Sequence, residues 1–252
     1  MGECGRTAWP TDAATLDAEQ LRLAALKPDP WPWPSRPFVV AGCFVAFVRG
    51  QQGPGQAGDQ MWVGAALVRC PGLELVDSVV VSARAGAAYD PGRLALREGA
   101  ALAAALAALP LRPDVLMLNA TGRDHPRGAG LALHLGAVLD LPSVGVTHRP
   151  LRAWGSEPGA ALGDSTPLLL ESASTGASAG SHGLRVVGAS LRTKTGVRPV
   201  AVHAGWRVDA ETAVRVVLAA VRASRTPEPL RQARQVARTA RARAETLRGD
   251  PG

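Results

Sequence analysis

The clearest indication of the fold class comes from Pro113-Asp-Val-Leu-Met-Leu-Asn-Ala-Thr-Gly-Arg-Asp-His-Pro-Arg-Gly128. Its apolar run, Val115–Leu118, is short and continuous, as in a central strand buried on both faces. After a Gly-containing loop, Arg127–Leu139 has the composition of a helix, and Ser143–Val146 is a second short apolar run. Strands that alternate with a helix in this way indicate an α/β domain.

The segments on either side of this unit complete a mixed sheet flanked by helices. Before it we predict a helix over Thr15–Leu26, three strands in an antiparallel meander (Phe38–Arg49, Met61–Arg69 and Leu73–Ala83) and a helix over Gly92–Leu109. After it we predict an exposed insertion within Glu157–Ser181, strands over Leu184–Thr193 and Pro199–Val202, and helices over Asp209–Val221 and Pro229–Leu247. We divide the chain into an N-terminal leader and helix (1–36), the α/β domain (37–225) and a basic C-terminal helix and tail (226–252).

The charge balance is basic, and most of it lies near the end of the chain. The 252 residues carry 28 Lys and Arg against 21 Asp and Glu, a net charge of +7. Residues 222–248 hold eight arginines and two glutamates, a net of +6. Four of these arginines share one helical face at spacings of 3, 4 and 3 residues: Arg231, Arg234, Arg238 and Arg241. A solvated face and a phosphate-binding stripe both explain this pattern.

Composition also indicates which kind of partner and which cellular compartment to expect. A basic protein suggests nucleic acid as the partner, although an Arg-rich, Lys-poor composition is also typical of a GC-rich genome. No run of 18 apolar residues is present, so we expect no membrane partner. Three cysteines without a CxxC pair, and an N-terminus without an apolar signal sequence, predict a cytoplasmic protein.

Four polar positions are candidates for chemistry, each with an alternative interpretation. Glu98 lies in an Ala- and Leu-rich helix, where a carboxylate is either solvated or paired. Asn119 follows a buried strand, where α/β sheets collect ligands, or it simply forms a turn. His125-Pro-Arg127 precedes a helix whose free N–H groups favour an anion. Asp209 has the sequence context of a helix N-cap.

Taken in order, several motifs resemble those of the endonuclease V family, inosine-directed nucleases with a ribonuclease H-like fold. The similarity covers roughly residues 15–240, and no single motif is as specific as the ordered set. The motifs are Tyr89-Asp-Pro-Gly92 with Arg97-Glu98, Pro113-Asp114 leading to His125-Pro-Arg-Gly128, Gly130–Gly145, Leu191-Arg-Thr-Lys194, Asp209-Ala-Glu-Thr-Ala213 and Arg225-Thr-Pro-Glu-Pro-Leu-Arg231.

The resemblance implies a Mg²⁺ site built from acids on the first strand, on the helix after the Tyr loop, at the central strand end and on a late helix. Glu98 and Asp209 match two of these positions, whereas Phe44 and Asn119 occupy the other two. His148 stands where the family has a lysine. Because Mg²⁺ requires oxygen ligands and negative charge, weak or absent Mg²⁺-dependent cleavage is expected.

The resemblance also implies a nucleic-acid site for inosine-containing or distorted DNA or RNA. By this resemblance, Tyr89 lies on a loop that inserts between the two strands of a nucleic acid, and Gly92 and Gly122 lie on loops that a base approaches. We add His125 and Arg127 to the predicted nucleic-acid contacts. Two other hypotheses stay open. One is an inactive scaffold or partner-binding protein that keeps only the fold, and the other is a nuclease with one metal ion on Glu98 and Asp209.

Overall fold

We describe a computed structural model of the chain over residues 9–50, 53–172 and 183–247. The elements in chain order are α1 (Ala13–Ala25), β1 (Phe38–Phe47), β2 (Gln60–Cys70), β3 (Glu74–Arg84), a π-helical turn (Ala95–Gly99) that continues into α2 (Ala100–Ala107), β4 (Val115–Leu118), α3 (Leu131–Val138), β5 (Ser143–Thr147), β6 (Ser165–Ser172), β7 (Gly183–Leu191), β8 (Val200–Ala204), α4 (Ala210–Ala219) and α5 (Glu228–Leu247). The start of the predicted leader, the end of the predicted insertion and Arg248 lie outside the described residues.

The strands form one eight-stranded mixed sheet in the order β3-β2-β1-β4-β5-β8-β7-β6. β1, β2 and β3 are an antiparallel meander, and β1, β4 and β5 are mutually parallel neighbours. β8 runs antiparallel to β5, and β7 and β6 continue that half of the sheet. The predicted α/β class, with a mixed sheet flanked by helices, is therefore confirmed.

Three elements differ from the sequence-based prediction. β6 lies inside the segment predicted as an exposed insertion, where Ser165-Thr-Pro-Leu-Leu-Leu pairs with β7 as an edge strand. α3 begins at Leu131 rather than at Arg127, because the residues before it form a loop with its own hydrogen bonds. The helix predicted from Gly92 begins with the π-helical turn, which composition cannot reveal.

Helices cover both faces of the sheet. The π-helical turn, α2 and α3 pack on one face, over buried side chains such as Cys43, Leu67 and Leu118. α4 and α5 pack on the other, where Val40, Met117 and Val217 are buried. α5 approaches β1 so closely that a Cβ at Gly42 would collide with the Pro229 carbonyl group. α5, the basic C-terminal helix, therefore packs directly on the sheet.

A membrane-spanning role finds no support in the described helices. None of them within 9–50, 53–172 and 183–247 combines the length and the apolar character that crossing a bilayer requires.

Candidate functional site

The carboxyl-terminal ends of β1, β4 and β5 lie side by side at one edge of the sheet, because these three strands are parallel. This edge brings together Phe44 in β1, Asn119 directly after β4 and His148 directly after β5. Two cavities, of about 250 and 180 Å³, meet at Phe44 and Asn119. The larger one also contains Glu98 and Tyr89, and the smaller one contains His148. Four of the sequence-predicted site residues, together with Phe44, are therefore neighbours at this edge.

Glu98 projects from the π-helical turn into the larger cavity. A π-helical turn widens the helix locally, a distortion that is frequent at functional sites. Within the described part of the chain, its carboxylate accepts no hydrogen bond and forms no ion pair. Burial raises the pKa of Glu98 to about 7, and the nearby charge of Arg97 only partly opposes this shift. Glu98 is therefore a carboxyl group without a fixed protein partner.

The buried side chain of Arg97 contacts two loops next to the larger cavity. Its guanidinium is buried, pairs with Asp59 at 2.8 Å and donates hydrogen bonds to the carbonyl groups of Gln56 and Ala87. It also lies 4.4 Å from the centroid of the Phe47 ring. These contacts join the loop after β1 to the loop that carries Tyr89.

Hydrogen bonds from neighbouring side chains hold the loop Tyr89–Gly92, and the side chain of Tyr89 is about half exposed. Its last residue, Gly92, has φ of +81°, which L side chains rarely adopt. The Gly92 carbonyl accepts hydrogen bonds from His125 Nε2 at 3.0 Å and from the Arg127 guanidinium at 2.7 Å. Arg127 also donates to Gln20 at 2.6 Å. The loop is therefore braced in one conformation.

Three of the residues predicted to contact nucleic acid have contacts inside the protein. The Arg127 guanidinium is directed inward, and His125 is buried with Nδ1 accepting the Arg127 backbone N–H. Burial, followed by the charge of Arg127, lowers the pKa of His125 to about 4, so the ring is neutral at pH 7. Gly122 is buried against the Ala204 carbonyl group and lines neither cavity. His125 and Arg127 therefore hold the Gly92 carbonyl, and Gly122 packs closely against the strand end at Ala204.

Sequence reasoning gave no role to Asp124, which organises the loop after β5. Its fully buried carboxylate accepts three backbone N–H groups, from Leu151, Arg152 and Ala153, at 2.7–2.9 Å. It also lies 3.6 Å from Nδ1 of His203, whose pKa burial lowers. The acid is therefore a structural anchor for the chain that follows His148. Its place beside His125 in the sequence gave no indication of contacts almost thirty residues away.

Asp209 lies apart from the other predicted site residues and lines neither of the two cavities. β8 is antiparallel to β5, and Ala204 at its end pairs with Val144 at the start of β5. Asp209 therefore lies beyond the opposite edge of the sheet from Asn119, roughly 13 Å away along β5 alone. It is the exposed N-cap of α4, and its carboxylate accepts the Thr212 N–H at 2.7 Å.

The late helix that reaches the site is α5, and it contributes arginines. Arg234 and Arg238 line the smaller cavity with Phe44 and Asn119. Partial burial, followed by the charges of Arg225 and Arg234, lowers the pKa of His148. The signal in the sequence was the arginine stripe, but its pattern could not show which of its members face the sheet edge.

The donor groups at this edge do not fit a magnesium site. Glu98 offers the only carboxylate on the two cavities, Asn119 adds a neutral amide, and Phe44 offers no donor atom. Arg234 and Arg238 place positive charge where a dication would need negative charge. The described residues likewise contain no group of three or more His, Cys, Asp or Glu side chains arranged to hold a metal ion.

Comparisons with known proteins agree on one family. The sequence model described as "Endonuclease V" matches residues 29–235. Endonuclease V of Roseiflexus sp. is 39% identical over 179 residues, which cover 71% of this chain and 75% of the relative. The crystal structure of Endonuclease V from Streptomyces avermitilis matches with a TM-score of 0.78 at 33% identity, over 94% of this chain and 96% of that one.

A third match is the crystal structure of Ciona intestinalis Endonuclease V in complex with a 24mer DNA that contains an inosine followed by a ribo-adenosine. It covers 92% of this chain and 98% of its own, with a TM-score of 0.71 and 20% identity, and so shows the shared fold. The ribonuclease H-like fold expected from the sequence is thereby confirmed. By sequence and by structure, the chain belongs to the Endonuclease V family.

Proposed function

We propose that this chain binds inosine-containing or otherwise distorted nucleic acid and does not efficiently cleave it with Mg²⁺. The observation that carries the proposal is the composition of the two cavities that share Phe44 and Asn119: one contains a single carboxyl group, Glu98, and the other contains two arginines. Family membership supports nucleic acid as the partner, and the Ciona relative was crystallised with inosine-containing DNA. Cleavage by this family's chemistry would need a metal ion that these side chains do not suit.

The geometry favours ligand binding over a purely structural role. Phe44 does not fill the site with apolar packing, because cavities remain open on both sides of it. Tyr89 is about half exposed on the rim of the larger cavity, on a braced loop, and offers an aromatic face. Stacking of a base on such a side chain contributes about 1–3 kcal/mol.

Binding and cleavage are tested on the same duplexes. Fluorescence anisotropy compares a duplex with one deoxyinosine to its undamaged counterpart at several salt concentrations. We expect salt-dependent binding that is tighter for the deoxyinosine duplex. A chain that binds neither duplex, nor the matching RNAs, would be a scaffold or partner-binding protein, and the proposal would fail.

The cleavage arm uses Mg²⁺ or Mn²⁺ with the wild-type chain and Glu98→Ala side by side. We expect no cleavage by either protein beyond a protein-free control. Robust cleavage by the wild type that disappears in Glu98→Ala would overturn the inactive half of the proposal and leave the binding half intact.

A further inference from the structure

The smaller cavity at the sheet edge is cationic, at the place where the family resemblance puts acids. We propose that Arg234 and Arg238 form a phosphate-binding site there, which holds one backbone phosphate of the bound nucleic acid directly and without a metal ion. This inference rests on the proposed function for the identity of the ligand. It assigns a binding role to two residues of α5, which the sequence alone left undecided.

The four arginines of the stripe have different environments. Arg231 forms a two-point ion pair with Glu228, and Arg241 contacts Glu245 at 3.7 Å and the Phe47 carbonyl at 3.3 Å. Arg234 and Arg238, by contrast, have no carboxylate partner anywhere in the described ranges. The two arginines without a counter-ion are the two that line the cavity.

The cavity has a suitable size and lining for one phosphate group. Its volume of about 180 Å³ equals roughly six molecules of liquid water, enough for a phosphate with part of its hydration shell. Asn119, whose side-chain amide can donate hydrogen bonds, completes the lining, and His148 lies at the same cavity. The Thr147 hydroxyl also lies there, but it already donates to the Arg149 carbonyl. Guanidinium groups bind phosphate in a two-point geometry that an ammonium group cannot reproduce.

The two guanidinium groups are carried on a rigid support. α5 is buried against the sheet through Leu230, Ala233 and Ala237, one or two turns apart along the helix. The close approach of Pro229 to Gly42 fixes the start of the helix. Because the backbone is already held in place, phosphate binding has to order only the two side chains.

The cavity of the two arginines has no carboxylate among the described residues that line it. Glu98 lies on the adjoining cavity, and Phe44 and Asn119 line both. A phosphate held at Arg234 and Arg238 therefore shares its cavity with cationic and neutral side chains.

The test measures affinity for a fluorescein-labelled deoxyinosine duplex in EDTA and over a salt series. We expect wild-type affinity to be the same in EDTA and in Mg²⁺. Arg234→Ala and Arg238→Ala should each weaken binding about tenfold and lower the slope of log affinity against log salt by about 1. Arg243→Ala is the matched control, since Arg243 is an exposed arginine of α5 outside the cavity. Arg234→Lys should keep the salt slope but lose affinity.

A second measurement reads the same site without nucleic acid. Inorganic phosphate should raise the Tm of the wild type and of Arg243→Ala more than that of the Arg234→Ala/Arg238→Ala double variant. If the wild type binds no nucleic acid but shows this difference, the proposed function fails and the phosphate site stands. If the cavity variants behave like Arg243→Ala in both measurements, or if EDTA abolishes duplex binding, the phosphate site is refuted.

Discussion

Arg238 lies over the ring of Phe44, with the guanidinium carbon 5.7 Å from the ring centroid. Phe44 is the residue of β1 where the family resemblance predicts an acid, and Arg238 comes from α5. A cation over an aromatic face is stabilised by about 0.5–1 kcal/mol at an exposed site. The aromatic residue and the arginine thus contact each other, whereas an arginine beside a magnesium ion would be repelled.

Restoring acids at this edge should restore metal binding. We expect the wild-type Tm to be unchanged by Mn²⁺, whereas the variant Phe44→Asp/Asn119→Asp/Arg234→Asp, which combines three new carboxylates with Glu98, should gain several degrees. Oxygen ligands and negative charge are what the wild-type edge lacks. Differential scanning fluorimetry with a Mn²⁺ titration measures both proteins, and Arg243→Asp controls for a simple charge change. A Mn²⁺-dependent rise in the wild type would contradict this account.

Glu98 should make stability depend on pH. Its folded pKa of about 7 lies above the ordinary value of 4.5, so the folded state binds the proton more tightly. The stability associated with Glu98 is therefore complete below pH 4.5 and is lost as the pH rises through 7. Glu98→Gln should match the wild type at pH 4.5 and exceed it at pH 8 by roughly 2–3 kcal/mol. Urea unfolding at both pH values measures this difference. An equal effect at the two pH values would show that Glu98 acts only through packing.

Removing the carboxylate of Asp124 should destabilise the protein strongly. In Asp124→Ala, three buried backbone N–H groups, those of residues 151–153, lose their acceptor. We expect a loss of about 2–4 kcal/mol in the free energy of unfolding. Glu171→Ala, at an exposed position in β6, serves as the control and should change stability by less than about 0.5 kcal/mol. A small effect at Asp124 would mean that water satisfies these groups.

The backbone of the Tyr89 loop should be sensitive at Gly92. Because Gly92 has φ of +81°, Gly92→Ala should reduce stability by about 1–2 kcal/mol and increase hydrogen exchange across residues 88–93. Gly72→Ala is a matched control, because a Cβ there would meet no atom within 4 Å and its φ is ordinary. Equal behaviour of the two variants would show that the loop adapts freely.

Tyr89 should contribute to binding through its ring rather than through its hydroxyl group. The hydroxyl makes no hydrogen bond to another residue of the described structure. We therefore expect Tyr89→Phe to keep the affinity for the deoxyinosine duplex and Tyr89→Ala to lose about tenfold or more. Anisotropy titrations measure both variants. A loss in Tyr89→Phe equal to that in Tyr89→Ala would assign the contact to the hydroxyl instead.

The sequence predicted the sheet well because apolar runs such as Val115–Leu118 and the turn-bounded meander carry strong local signals. It also predicted that Phe44, Asn119 and His148 occupy related positions. It could not predict which late helix reaches them, since Asp209 and Arg234 both lie on C-terminal helices. That choice depends on β8 being antiparallel to β5, a long-range pairing that leaves no local trace. Asp124 was missed for the same reason.

The position of α5 in the chain has a consequence for biosynthesis. β1, β4 and β5 are translated well before residue 228, where α5 begins, so the ribosome has made the strands of this edge before either arginine of its cationic wall. Domains fold as their residues emerge at about 5–20 residues per second. A nascent chain that stops before α5 would expose the apolar surface around Gly42 and could not yet hold a phosphate. On the proposed phosphate site, the chain can therefore bind phosphate only after α5 has been synthesised.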